Sequence, residues 1–156
     1  MTARTTHLDA GVRTAMITLS GAAKQGFGDP VLAELVQIRA SQLNHCAFCL
    51  DMHVRNARES GADQRQLDLL DAWEEAEGVY TERERAALAL TEAVTLLAVP
   101  DRAEARGGFV PDEVYEEAAK HFDDAALACL IGLITVINAW NRLMVSRRIP
   151  AGSTEW

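Results

Sequence analysis

The stretch that decides the fold of this 156-residue chain is ELVQIRASQLNHCAFCLDMH, residues 34–53. Its first half carries apolar residues at helical spacing, among them Leu35 and Ile38. Asn44 then interrupts that pattern, and a second helix is predicted from about Cys46 to Ser60. A break this short lets the two helices fold back beside each other. The stretch therefore predicts a helical hairpin that carries most of the reactive side chains.

Capping signals on both sides of this hairpin predict further helices. Asp29 before Pro30 is a typical helix start, and Thr81 with Glu84 forms a capping-box pattern. Gly61 is a typical C-terminal residue. The predicted helices are Leu8–Ala23, Pro30–Leu43, Cys46–Ser60, Asp63–Ala76, Thr81–Ala98, Pro111–His121 and Asp124–Val145, with a long connection from Pro100 through Gly107 and Gly108. No segment alternates as a strand does. We expect an all-α fold, a compact helical bundle of about six to seven helices in a single domain over residues 1–156.

The composition excludes several classes of protein. Hydrophobic residues make up 49% of the chain and aromatic residues only 6%, which suits a core of closely packed aliphatic helices. The net charge of -8 repels phosphate backbones and anionic lipid surfaces. We therefore expect no nucleic-acid partner and no membrane-surface role.

The cysteine content and the N-terminal residues predict a reducing compartment. Three cysteines do not make the even set of a secreted disulfide framework, and MTARTTHLDA contains no apolar leader core. The uncharged stretch Ala125–Asn141 is shorter than the roughly 20 residues that a membrane span needs. We expect a cytoplasmic protein in which this stretch is a core or interface helix.

Cys46, Cys49 and His53 lie three and four residues apart, so they share one face of the second helix. Cys46 stands at the start of that helix, where free N–H groups and the helix dipole favour a thiolate. The imidazole of His53 can take a proton from Cys49 and return it to a leaving oxygen. This spacing predicts redox chemistry at the two thiols.

Glu34 falls inside the apolar stripe of the preceding helix. A carboxylate is unexpected at such a position, so its presence calls for a functional or structural explanation. Burial is expected to raise its pKa toward the range of a proton relay, and the hairpin brings it within reach of His53. Two other interpretations remain open: Glu34 is a partner of Arg39, or it lies at a subunit boundary.

Other interpretations of the cysteines also remain open. Cys46 and Cys49 can be plain core thiols in a helical interaction protein. With His53 they supply three ligands of a structural zinc site, which His7 or His121 would complete. We expect Cys129 to be an inert core thiol and His45 a solvent-facing cap rather than a relay member.

The pattern Glu-x11-Cys-x2-Cys-x3-His, formed by Glu34, Cys46, Cys49 and His53, resembles the signature of alkylhydroperoxidase D within the carboxymuconolactone decarboxylase-like superfamily. The segment Asn138–Arg142 in the last helix also resembles the peroxidase-related branch of that superfamily. The resemblance extends over about residues 8–148, and its diagnostic part is the segment from the glutamate to the histidine.

The resemblance implies an all-helical fold that assembles into trimers or hexamers, with the active site near a subunit boundary. It implies that Cys49 is the peroxidatic thiolate, Cys46 the resolving thiol, and His53 with Glu34 the proton relay. The founding members carry a further relay histidine between the cysteines, where this chain has Phe48. The relay is therefore one group shorter, and Phe48 with Met52 is expected to shape a substrate pocket.

These observations lead to a functional hypothesis. The chain is predicted to be a thiol-dependent peroxidase that reduces a small hydroperoxide through a dithiol/disulfide cycle and is reset by an unidentified thiol or dithiol donor. We expect neither a cofactor nor a bound metal. The alternative is a disulfide reductase or redox sensor with little peroxide turnover.

Overall fold

The computed structural model describes residues 2–4, 8–97 and 109–155. The helices are α1 (Ala10–Phe27), α2 (Pro30–Leu43), α3 (Ala47–Glu59), α4 (Gln64–Leu69), α5 (Glu82–Thr95), α6 (Asp112–His121) and α7 (Asp124–Arg147). A 3-10 turn, Leu70–Ala72, follows α4, and these ranges contain no strand. The predicted all-α bundle of six to seven helices is confirmed. The predicted connection from Pro100 through Gly107 and Gly108 lies outside the described residues.

Helix α2 is the centre of the bundle. Every residue from Leu32 to Ser41 is buried, and α2 packs against α1, α3, α5 and α7. A helix surrounded on all sides has no solvent face, so the single apolar stripe predicted from Leu35 and Ile38 is too narrow. Polar residues on α2, including Glu34, therefore lie inside the protein, and each has to find a partner there.

Two predicted helix ends are wrong by four residues or more, for identifiable reasons. Helix α1 continues four residues past Ala23 and ends at Phe27, because Gly28 takes the left-handed conformation (φ 73°) and donates its N–H to the carbonyl of Lys24. The fourth helix was predicted to reach Ala76, but α4 ends at Leu69. The chain then tightens into a 3-10 turn, whose three-residue period points both Leu70 and Trp73 into the core.

Helix α7 begins after the N-cap Asp123 and ends at Arg147, because the C-cap Arg148 takes the left-handed conformation (φ 56°). It runs past the uncharged stretch Ala125–Asn141 and reaches 24 residues. Among the described helices it is the one whose length and composition would allow it to cross a membrane. In this fold α7 instead lies against α1, α2 and α5 and contributes Leu130, Leu133 and other apolar residues to the core.

A set of asparagine hydrogen bonds fixes the turn between α2 and α3 against α7. The side-chain N–H₂ of Asn44 donates to the side-chain oxygens of Asn138, at 2.9 Å, and Asn141, at 3.0 Å. Asn141 is fully buried and donates in turn to the hydroxyl of Ser41 at 3.0 Å. This network holds Asn44, two residues before Cys46, in place, so the polar residues of α7 have a structural role beside the cysteines.

A buried ion pair joins α2 to α5. The Nε of Arg39 donates to Oε1 of Glu92 at 2.9 Å, its Nη1 donates to Asp71 at 2.6 Å, and the indole N–H of Trp73 also donates to Glu92. We expect Arg39→Met to lower the free energy of unfolding in urea by about 3–5 kcal/mol, because it removes a cation that binds a buried carboxylate. Replacing both partners, in Arg39→Met with Glu92→Met, should recover much of that loss.

The matched control is Arg55→Met, whose ion pair with Asp51 is exposed on α3. Exposed pairs contribute about 0–1 kcal/mol, so this variant should unfold almost like the parent protein. A loss below about 1 kcal/mol in Arg39→Met would contradict the importance of the buried pair.

Candidate active site

The two cysteines open helix α3. Cys46 is the N-cap, and its Sγ accepts the backbone N–H of Cys49 at 3.3 Å. His45, just before it, is exposed and takes the left-handed conformation (φ 54°), which turns the chain into the new helix. Cys46 and Cys49 are joined by a disulfide, with their Cα atoms 5.4 Å apart, and each residue is only 1% exposed. The predicted pairing of the two sulfurs is therefore geometrically possible, and the bridge is buried.

The carboxylate of Glu34 and the imidazole of His53 meet between α2 and α3. The distance from Nδ1 of His53 to Oε2 of Glu34 is 2.7 Å, and both residues are buried. A carboxylate accepts the hydrogen bond, so Nδ1 carries the hydrogen and Nε2 of the neutral ring is left as a proton acceptor. The sequence-based prediction that these two groups lie together is confirmed.

A third group, which the sequence analysis missed, completes this cluster. Nζ of Lys24, in the last turn of α1, lies 2.5 Å from Oε1 of Glu34. Arg39 bonds to Glu92 and Asp71, so the interpretation of Glu34 as its partner is wrong. Lys24 comes from a helix ten residues earlier in the chain, and no local spacing rule links the two positions.

The cluster also reverses the expected direction of one pKa. Burial raises the pKa of Glu34, as predicted, but the hydrogen bond and charge of His53 and those of Lys24 together outweigh burial. The pKa of Glu34 is consequently lowered below its ordinary value. The prediction that Glu34 titrates in the range of a proton relay is wrong, and Glu34 is a stable anion that orients its neighbours.

An apolar cavity of about 340 Å³ adjoins this cluster. It is lined by Ile17, Ser20, Gly21, Lys24, Gln37, Phe48, Cys49, Met52, His53, Asn56, Ile137, Trp140 and Met144. Cys49 and His53 are therefore on its wall, whereas Cys46 is not among its lining residues. Phe48 and Met52 lie beside the sulfur of Cys49 on the same wall, which agrees with the expectation that they shape a pocket.

Polar contacts hold the helices around the cavity. The indole N–H of Trp140 on α7 donates to the hydroxyl of Ser20 on α1 at 2.9 Å, across the cavity wall. Gln37 on α2 is buried, and its side-chain N–H₂ donates to the carbonyl of Ala33. The Trp140–Ser20 bond attaches α1 to α7, so the cavity is a property of the packed bundle rather than of α3 alone.

The remaining candidate residues lie elsewhere. Cys129 is a half-buried free thiol packed against α1, where a side chain on Gly26 would collide with its sulfur. His121 bonds to Glu117 on its own helix, and His7 lies outside the described residues. In the described part of the chain, no three His, Cys, Asp or Glu side chains are arranged to hold a metal ion. The geometry gives no support to the zinc-site interpretation.

The helical hairpin with its cysteine pair can be compared with known protein families. Residues 10–93, more than half of the chain, match the model of the carboxymuconolactone decarboxylase family. The chain belongs to that family. The matched region includes α1, α2 and α3, and therefore the whole Lys24, Glu34 and His53 cluster and both bridged cysteines.

Relatives within the carboxymuconolactone decarboxylase family extend this match. The chain is 37% identical over 138 residues to the uncharacterized protein YdfG of Bacillus subtilis, covering 88% of each. It is 32% identical over 124 residues to the uncharacterized protein YnjA of Escherichia coli, covering 79% of this chain and 62% of YnjA.

A solved structure places the chain more narrowly in the carboxymuconolactone decarboxylase family. The crystal structure of a protein of unknown function from Agrobacterium tumefaciens, described as a candidate AhpD antioxidant defence protein, superimposes with a TM-score of 0.82. The two chains are 32% identical, and the superposition covers 93% of each. The fold is therefore alkylhydroperoxidase D-like, as the resemblance implies.

Proposed function

We propose that this protein is a thiol-dependent peroxidase in which Cys49 reduces a hydroperoxide and Cys46 closes a disulfide. The observation that carries the proposal is the position of Cys49 and His53 on the wall of one apolar cavity, with His53 hydrogen-bonded to a buried carboxylate. A nucleophile, a base and a group that orients the base are the three parts that thiol catalysis needs.

The first step of the proposed mechanism is proton transfer within the reduced site. Nε2 of His53 takes the proton of the Cys49 thiol, because Nδ1 is held by Glu34 and cannot. The thiolate attacks the terminal oxygen of the hydroperoxide, and the O–O bond breaks. Cys49 becomes a sulfenic acid, and the departing alkoxide takes the proton from His53 to leave as an alcohol.

The second step consumes the other thiol. The sulfur of Cys46 attacks that of Cys49, the sulfenic hydroxyl leaves with a proton as water, and the disulfide forms. An external thiol or dithiol then reduces the bridge by exchange and is itself oxidised. Because Cys46 caps α3, its thiolate is stabilised by the helix N-terminus and is a good leaving group in that exchange.

We extend the proposal to assembly and location. Helix α1 exposes Val12 and Leu19, which are seven residues apart and so lie on one face of the helix, and this apolar face suits contact with further copies of this chain. We propose a trimer or hexamer. The disulfide has to be reduced again in every catalytic cycle. We therefore propose a cytoplasmic location, because thiols are kept reduced there. The net charge of -8 supports the expectation that neither nucleic acid nor a membrane surface is a partner.

Stoichiometric oxidation tests this proposal. The reduced protein is treated with one equivalent of cumene hydroperoxide, and its mass and free thiols are measured. We expect a loss of two hydrogen atoms and a fall from three free thiols to one, with Cys129 as the survivor. Peptide mapping should locate the new bridge between Cys46 and Cys49.

Other outcomes of this experiment are informative. Three remaining thiols would overturn the proposal. Bridge formation without repeated turnover, in the presence of excess dithiothreitol, would instead identify the disulfide reductase or redox sensor. Phe48 is the feature that makes this alternative worth testing, because it removes one relay group from the family pattern.

A further inference from the structure

Lys24 lies at the boundary between the buried carboxylate of Glu34 and the cavity. The sequence contains only two lysines, Lys24 and Lys120, and the second pairs with Glu117 on the surface of α6. The side chain of Lys24 is 36% exposed, whereas that of its partner Glu34 is 6% exposed. Lys24 also lines the cavity that contains Cys49 and His53. One ammonium group therefore contacts both the carboxylate and the space where a substrate would lie.

We propose that Lys24 is a positioning residue: its ammonium group holds one carboxylate oxygen of Glu34, so that the other oxygen remains the charged acceptor for Nδ1 of His53. The two oxygens have separate partners, Oε1 with Lys24 and Oε2 with His53. This division fixes the tautomer of the imidazole and keeps Nε2 free to accept the proton of Cys49. The inference rests on the proposed function and deepens it.

The charge of Lys24 also limits how many protons the Glu34 and His53 pair can hold. A nearby positive charge disfavours an extra proton on either partner, whichever of the two would carry it. Without Lys24 one cause of the lowered pKa of Glu34 is lost, so the carboxyl keeps a proton to a higher pH and Oε2 is less available to hold Nδ1 of His53. Lys24 and Cys49 line the same cavity, so a thiolate at Cys49 also has one cation fewer in its surroundings, and both effects act in the same direction.

No other described charge is set to take the place of Lys24. Helix α7 contributes uncharged Asn141 to the side of α2, and the lowered pKa of Glu34 is attributed to His53 and Lys24 alone among charged groups. Six arginines on the surrounding elements bond to groups other than Glu34: Arg39 with Glu92 and Asp71, Arg55 with Asp51, Arg58 with Gln64, Arg83 with Asp29, Arg85 with the carbonyls of Trp73 and Glu74, and Arg142 with Asn138.

The test compares Lys24→Met and Lys24→Gln with Lys24→Arg and with the surface control Lys120→Met. Two pH profiles are measured for each: the rate at which iodoacetamide alkylates the reduced protein at Cys49, and kcat/KM for cumene hydroperoxide. For Lys24→Met and Lys24→Gln we expect the acid limb of both profiles to move up by about one pH unit. Lys24→Arg should restore most of the original profile, and Lys120→Met should leave it unchanged.

The outcomes separate this inference from the proposed function. Unshifted profiles in both Lys24→Met and Lys24→Gln overturn it, even if activity falls, because a purely structural role changes stability or KM and not the acid limb. If the parent protein has no peroxidase activity, the alkylation profile still decides, since it depends on the thiolate and not on turnover. Two neutral variants are used so that one failure to fold does not remove the test.

Discussion

Cys49→Ser is expected to lower kcat/KM for an organic hydroperoxide at least about a thousandfold, because no thiolate is left to attack the O–O bond. A serine hydroxyl is not ionised in this range of pH and does not attack the O–O bond at a useful rate. The fold should survive, since the reduced cysteine and serine are similar in size. Coupled turnover with dithiothreitol and stopped-flow mixing with cumene hydroperoxide provide the measurement.

The two other cysteines supply the controls for this result. Cys46→Ser should still react once with hydroperoxide and then stop at a sulfenic acid on Cys49, which dimedone traps and mass spectrometry detects. Cys129→Ser should turn over like the parent protein. Full activity in Cys49→Ser, or equal behaviour of Cys46→Ser and Cys49→Ser, would contradict the division of roles between the two thiols.

His53→Gln is expected to reduce kcat/KM by roughly 10²–10⁴-fold near neutral pH, the usual contribution of a general acid–base group. Glutamine can still hydrogen-bond to Glu34 but cannot take the proton of Cys49. The deficit should shrink as the pH rises, because the thiol then ionises without help. Activity is measured from pH 6 to about pH 10, with the thiol reference pKa near 8.5 as the point of convergence.

His121→Gln is the matched control for the histidine variant. His121 is also on a helix and bonded to a glutamate, Glu117, but it is not among the residues that line the cavity. It should therefore behave as the parent protein at every pH. A deficit in His53→Gln that does not change with pH would show that the imidazole has a packing role and not a proton-transfer role.

The part of the site that could be predicted from the sequence lies within one helical hairpin. Cys46, Cys49 and His53 belong to one helix start and its first turns, where residue spacing alone determines which side chains share a face. Asn44 gave the position of the turn, and the turn brought Glu34 to His53. Short-range geometry of this kind is well determined by helical periodicity and capping.

The part that could not be predicted depends on how separate helices cross. Lys24 reaches Glu34 because α1 continues past Ala23 and packs beside α2, and neither fact follows from local periodicity. Burial alone gave the wrong direction for the pKa of Glu34, because the hydrogen bonds and charges of His53 and Lys24 together outweigh it. The burial of α2 on every side could not be predicted either, because it depends on the four other helices that pack around it.

The helices that line the cavity differ in how deeply they are buried in the protein. The sulfurs, the imidazole and the carboxylate belong to the interior hairpin, whereas Ile17, Ser20 and Gly21 reach the cavity from the largely exposed α1. Lys24 differs from these three residues, because it lies on α1 but binds Glu34 and so links the outer helix to the interior hairpin. Substitutions at Ile17, Ser20 or Gly21 are therefore expected to change the shape of the cavity while leaving Cys49, His53 and Glu34 in place, so that selectivity can be altered separately from the proposed chemistry.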